Sequence, residues 1–527
     1  MARSALPMAL IGAALAGVAA TPHAPDAVCP PADQPMDPAR YLRSLSLDLR
    51  GYAPALSEYE LIDEVEVEDA LDVVVDDWLA SDDFADRVVR HHQALLWNNI
   101  TNVRLTSNRF ILSQTGGLHY IRSKALALRG DVVPCLDEPA QYDDDGTIVM
   151  TSQADGTIRE GYVWVNPYWA PETTLKVCAL DAQTRAVASS GEACDRREAG
   201  DEAECGCGPD LNWCGYGRYT DEVVLASLGE DIQRRIADVI SSDQSYLTLF
   251  DGRSAWVNGP IVHYLNHQIG VYQNTTMEPS GYRMQALPDL HYTDVDTWVE
   301  VELDGQHAGL LTSPAFLMRF QTNRARANRF YNAFLCEPFQ PPTEGLPAPD
   351  ESKVPPLDLQ VRDGCKYCHA QLEPAAAYWG RWTPSGSGWL DPGKFPPVRD
   401  DCLACAEGSG NCSIECRTHY LTDTLGEEQE PWLGWLNSYE FRRDEHMGNI
   451  EAGPRVLAAS SVVDGRLPAC VAKRREGLHA ERRSFCARSA MSWASRSSSS
   501  RRARRRCGVR PPMRQGDRTS LRCRAAS

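Results

Sequence analysis

The chain has 527 residues, enough for two to four domains that each bury a core. Its net charge of −19 conceals two unlike parts. Lys473 to Ser527 carries 17 Lys and Arg against 3 Asp and Glu, which leaves 36 basic and 69 acidic residues over the first 472. So acidic a body argues against nucleic acid as a partner, because phosphate contacts need clustered Lys and Arg.

Arg3, the apolar run Leu6 to Ala20 and the small residues Val18-Ala19-Ala20 read as a signal peptide over 1–24. The run is too short to span a bilayer comfortably, and no other apolar run approaches that length. The expectation is an exported protein (periplasmic, cell-surface or extracellular) with no transmembrane segment. Its eighteen cysteines then favour disulfides. A Pro- and Asp-rich linker follows over 25–36.

Residues 37–129 read as an N-terminal helical domain. Asp37-Pro38 pairs a carboxylate cap with proline at the first helical position, and Gly51 ends that helix. Ser57 with Glu60 reads as a capping box, and Ser81 caps a further helix through Phe84, Val88, Leu95 and Leu96. His91 and His92 on it read as ordinary helix residues.

Residues 130–219 read as a Cys-rich insertion. Asp145-Gly146 and Asp155-Gly156 are hairpin-type turns, which predicts a small β-hairpin. Cys178, Cys194, Cys205, Cys207 and Cys214 are too irregularly spaced for a zinc motif and read as disulfides. Their odd number calls for an outside partner, for which Cys135 is the candidate.

Helical periodicity returns over 220–340, a second helical domain, through Val223, Leu228, Ile232, Ile236 and Val239. His263 and His267 stand four apart, on one face of a helix. That is the histidine spacing of a zinc-protease helix, but Tyr264 stands where its glutamate would follow, so the pair reads first as satisfied polar groups at a helix interface, with a metal pair as the alternative. A Pro-rich linker covers 341–364.

Cys365-Lys366-Tyr367-Cys368-His369 opens the segment 365–472. Two thiols one helical turn apart can each add to a vinyl group of one porphyrin, and the adjacent imidazole then serves as proximal iron ligand. Met447, His419 and His446 are the candidates for a sixth ligand. Tyr378, Trp379 and Trp382 offer walls for a porphyrin or, equally, core aromatics. The rival reading is zinc held by Cys365, Cys368, Cys402 and Cys405. Cys402, Cys405, Cys412 and Cys416 together favour two disulfides in an exported protein.

Several of these stretches, in this order, resemble the secreted cytochrome-c-associated domain families of planctomycetes and related bacteria such as myxobacteria, whose function is largely unassigned. The resemblance rests on Leu45-Ser46-Leu47-Asp48-Leu49-Arg50-Gly51, Trp78-Leu79-Ala80-Ser81, Gly309-Leu310-Leu311-Thr312-Ser313-Pro314-Ala315-Phe316-Leu317, Leu335-Cys336-Glu337-Pro338 and the C-x-x-C-H motif. It covers most of 37–100 and 220–470. The families usually continue after the motif with aspartate-proline-leucine-glycine, where this chain has Leu372-Glu373-Pro374. They also continue past Cys470 with a folded domain. The Arg/Ser-rich stretch 473–527 lacks periodicity and reads as a disordered basic tail or a reading-frame artefact.

The expected fold is mainly α: helical bundles with a small disulfide-rich β-hairpin insertion and a cytochrome-c-like C-terminal segment. The expected function is an exported haem c protein in electron transfer or oxidation, working with a redox partner protein. The alternative is a non-redox structural or binding protein whose C-x-x-C pairs hold zinc or disulfides. Whether the chain is an enzyme is left open, and no catalytic residue is named.

Overall fold

The computed structural model describes residues 37–64, 67–101, 103–271, 281–340, 343–345, 358–384, 386–406, 412–421 and 442–477. The expected signal peptide, the expected 25–36 linker, part of the Pro-rich linker and the tail beyond Gly477 lie outside them.

Four helices come first: α1 (Pro38–Leu49), α2 (Leu56–Glu64), α3 (Val67–Leu79) and α4 (Asp82–Leu96). The Asp37 carboxylate accepts from the Arg40 amide at 3.0 Å, and the Ser81 hydroxyl accepts from Phe84, so both expected caps form. The Ser57/Glu60 box does not. Helix α2 begins before Ser57, and the Glu58 carboxylate instead accepts from the Ala55 amide and binds Arg50 and the Trp78 indole. His92 is buried as an ordinary packing residue between the Val88 carbonyl and the Tyr246 hydroxyl.

The middle of the chain holds more strand than the hairpin its turns predict. It contains β1 (Ile111–Thr115), β2 (Leu118–Ile121), α5 (Arg122–Arg129), β3 (Thr151–Ser152), β4 (Ile158–Arg159), β5 (Tyr162–Val165), β6 (Leu175–Cys178) and β7 (Gly215–Tyr216). The hairpin expected at Asp155-Gly156 is there as β3–β4. A five-stranded sheet, order β5-β6-β2-β1-β7, accompanies it, with β2–β6 and β1–β7 parallel. This sheet begins inside the segment expected to be purely helical. Content is about 48% helix and 11% strand, so a mainly α description is only partly right. Cys135–Cys178, Cys194–Cys205 and Cys207–Cys214 staple the insertion, with Cys135 as the outside partner. Arg129 sits fully buried between the Glu160 and Asp181 carboxylates.

After the insertion come α6 (Tyr219–Ser241), α7 (Thr248–Asp251), β8 (Ser254–Val257), α8 (Gly259–His263), β9 (Val299–Glu302), α9 (Pro314–Arg319) and α10 (Asn323–Phe330). β8 and β9 pair antiparallel. The Gly309–Leu317 stretch is wholly buried. Gly309 has φ +52°, and a Cβ there would stand 2.1 Å from the Leu249 carbonyl oxygen, so only glycine fits. Ser313 then caps α9. The buried Arg326 guanidinium donates to the carbonyls of Phe320, Leu317, Thr383 and Gly386, which fastens α10 to the loop after the motif helix.

The last elements are α11 (Lys366–Ala376), α12 (Asp400–Ala406), α13 (Ile414–His419), α14 (Met447–Val463) and α15 (Arg466–Gly477). Among the described residues they show no cytochrome-c fold. Ala375, Ala376, Trp379, Trp382, Ile450, Leu457 and Leu467 join one core with Leu228, Ile236, Phe316 and Phe330 of the second helical region and Leu96 of the first. Cys336–Cys470 ties α15 to the end of the second region. Helix α15 also carries the chain past Lys473, where a disordered tail was expected to start. No helix among the described residues is long and apolar enough to cross a membrane.

Candidate functional site

Cys365 caps the N-terminus of α11, and the Cys368 and His369 amides bond back to its carbonyl at 3.2 and 3.0 Å. The motif therefore folds as one helical turn with both thiols on it. Both are partly accessible and unpaired, and they are the only unpaired cysteines among the described residues. Burial pushes the Cys365 thiol up, against the charges of Arg362 and Arg324, and pushes the Cys368 thiol up as well. Neither is the depressed-pKa nucleophile that a thiol–disulfide oxidoreductase requires.

The structure adds a residue that sequence reasoning passed over. His369 Nδ1 contacts the Glu373 carboxylate one turn further along, and Arg324 Nε donates to the same carboxylate oxygen at 2.8 Å. Burial alone would raise the Glu373 carboxyl. The hydrogen bond with His369 and the charge of Arg324 more than offset this and hold it below the ordinary range. The carboxylate accepts the Nδ1 proton, so the lone pair of the neutral ring lies on Nε2. A carboxylate behind the imidazole is a common support for a metal-ligating histidine. An acid four residues after the motif histidine, on the same helix face, is the signal that points to it.

The candidate sixth ligands fall in two places. His446 and Met447 stand at the start of α14, which Asn449 fastens to the motif helix by donating to the Pro374 carbonyl at 2.9 Å. Met447 is 41% exposed, whereas His446 is buried and its Nε2 meets the Gln360 side chain at 3.2 Å. Burial lowers the His446 pKa, and the nearby Glu445 and Glu373 carboxylates oppose that shift. His419 belongs to another cluster. It packs on Phe395, where burial holds its pKa at about 4.

The four-thiol zinc set is not assembled. Cys402 is paired with Cys416 and Cys405 with Cys412, which leaves Cys365 and Cys368 without those partners. Two groups do bring three potential donors within 4.8 Å: Cys135, Glu160 and Cys178, and Asp401, Cys402 and Cys416. Each contains both sulfurs of a disulfide, and the metal ligand is the thiolate. Trp379 and Trp382, which could equally wall a porphyrin or pack as core aromatics, are fully buried, and the Trp379 indole donates to the Leu311 carbonyl. They are core aromatics.

No protein-family model matches the chain, and comparisons with curated proteins and with solved structures find no match.

Proposed function

We propose that this chain is an exported c-type haem protein serving electron transfer or an oxidation, with Cys365 and Cys368 as the covalent anchors and His369 as the proximal ligand. One observation carries the reading. Twelve described cysteines close into six disulfides, while the two of the C-x-x-C-H motif stay open. The donor set fits the group: two accessible thiols one turn apart, followed by an imidazole with Nε2 free to ligate. The resemblance to secreted cytochrome-associated families and the disulfide count agree with export, where c-type haem is attached in bacteria.

Bound haem would supply one-electron chemistry. The residues of this chain hold and tune it. Glu373 keeps a proton on His369 Nδ1 and orients the ring, and Arg324 keeps Glu373 ionised. His446 or Met447, at the start of α14, would supply a further ligand, and a redox partner protein would exchange the electron.

A second reading is a non-redox structural or binding protein. The closure of Cys402 and Cys405 into staples favours it, since half of the C-x-x-C content is then structural. A reduced pyridine-haemochrome spectrum decides between the two, taken on protein exported from a host with c-type maturation genes. The haem reading expects a c-type band that disappears in Cys365→Ala/Cys368→Ala. A colourless wild-type protein overturns it.

A further inference from the structure

A cleft of about 600 Å³ lies far from this motif in sequence, between the stapled insertion and the second helical region. That volume suits a small molecule. Asn166, Asp210 and Asn212 line it from the insertion side; His263, His267 and His291 line it from the other. Helix α8 ends at His263 and passes into a π-helical turn over Tyr264–Gln268. Such turns are rare and often mark functional positions. The 281–292 loop is pinned against α8, because a Cβ on Gly259 would stand 1.8 Å from the His291 carbonyl oxygen.

His263 is the unusual group. It is only 7% exposed, it stacks on Tyr168 with ring centres 3.8 Å apart, and it lines the cleft. Its buried Nε2 has no hydrogen-bond partner. A satisfied polar group at a helix interface would not look like this. An imidazole nitrogen left without a hydrogen-bond partner is available to a metal ion.

His267 stands beside it, with ring centres 4.9 Å apart and the planes tilted by 47°. Two imidazoles on a tetrahedral ion, with metal–nitrogen bonds of about 2.0–2.1 Å, place their ring centres about 5 Å apart. His291 has another role. Its Nδ1 accepts from the Thr293 amide at 3.3 Å, so the proton of the neutral ring is on Nε2, a donor rather than a ligand.

We propose that His263 Nε2 and the His267 imidazole bind one zinc-class divalent transition-metal ion, with the remaining coordination positions open to the cleft for water or an oxygen-donor small molecule. His291 Nε2–H is the hydrogen-bond donor for that second ligand. With two protein ligands the site is an open one, unlike the closed four-ligand sites that zinc uses structurally.

The test uses full-length, tag-free Cys365→Ala/Cys368→Ala protein, in which the motif thiols cannot compete. Zn²⁺ is titrated against a chromophoric chelator, and Co²⁺ is followed by its visible absorption. The expected result is one equivalent bound, with affinity reduced at least about tenfold in His267→Ala and in His263→Asn. His267 is only half-buried, so its variant should keep the fold, which circular dichroism and the melting temperature check. Absence of a stoichiometric ion, or an affinity unchanged in a folded His267→Ala protein, overturns the proposal.

Discussion

Between Cys135 and Cys214 six cysteines are all closed, whereas Cys365 and Cys368 on the motif helix stay open. The two regions differ in what holds them. The insertion divides its apolar residues among three small clusters, and each contains a disulfide: Cys207–Cys214, Cys135–Cys178 and Cys194–Cys205. Its strands are two to four residues long. The motif helix instead runs into the largest core of the molecule through Ala375, Ala376, Trp379 and Trp382. Small cores need covalent staples, while a large one holds its elements by packing and leaves thiols free for chemistry.

The largest expected effect would sharpen that contrast. On the haem reading, Cys365→Ala/Cys368→Ala should abolish covalent haem while changing the unfolding free energy of the unloaded protein by less than about 0.5 kcal/mol. Cys135→Ala/Cys178→Ala should do the reverse. Opening a bridge between residues 43 apart costs about 4 kcal/mol on the chain-entropy account, with haem attachment left intact. Urea denaturation beside a haem stain measures both. Equal destabilisation by the two double variants would break the comparison.

Legibility in the sequence follows the same division. The caps of α1 and α4, the periodicity of α6 and the Asp155-Gly156 turn are local signals, and each formed its element. The five-stranded sheet was not legible, because its parallel pairs β2–β6 and β1–β7 join short strands far apart in the chain and leave no local trace. One signal was overlooked: Gly116-Gly117, both at positive φ, turn the β1–β2 hairpin. In the site, the C-x-x-C-H motif could be read, and His446 and Met447 could be named as candidate ligands, but not the helix that carries them to the motif. Glu373 and Arg324 were missed because their roles depend on burial and on the packing of α10 beside α11. The fate of Trp379 and Trp382 likewise depended on which surface covered them.

Acid should separate the regions by a different route. His92, in the large core, donates Nδ1–H to the Val88 carbonyl and accepts from the Tyr246 hydroxyl at 2.7 Å. Burial lowers its pKa from the ordinary 6.5 to about 4. The folded value is the depressed one, so the neutral ring is favoured in the fold. Its contribution is complete above pH 6.5 and is lost as pH falls towards 4, by about 3 kcal/mol in all. His419, held at about 4 as well, adds to the slope. Melting temperature against pH should therefore fall less steeply in His92→Gln, while reductant should destabilise both proteins alike through the insertion. A profile as steep in the variant as in the wild type would remove His92 from this account.

The smallest effect probes how the open pair is tuned. On the haem reading, Glu373→Gln leaves both anchors and the proximal nitrogen in place but replaces a carboxylate behind His369 with a neutral amide. The imidazole then donates less electron density, the oxidised state loses more stabilisation than the reduced one, and the midpoint potential rises. A tenfold change in that balance corresponds to about 59 mV for one electron. A shift of this size and sign, with the pyridine-haemochrome yield unchanged, separates tuning from anchoring. The double variant at Cys365 and Cys368 loses the haem, whereas the variant at Glu373 keeps it and moves its potential. Loss of haem in Glu373→Gln, or no shift at all, would reduce Glu373 to a residue that merely packs α11 against Arg324.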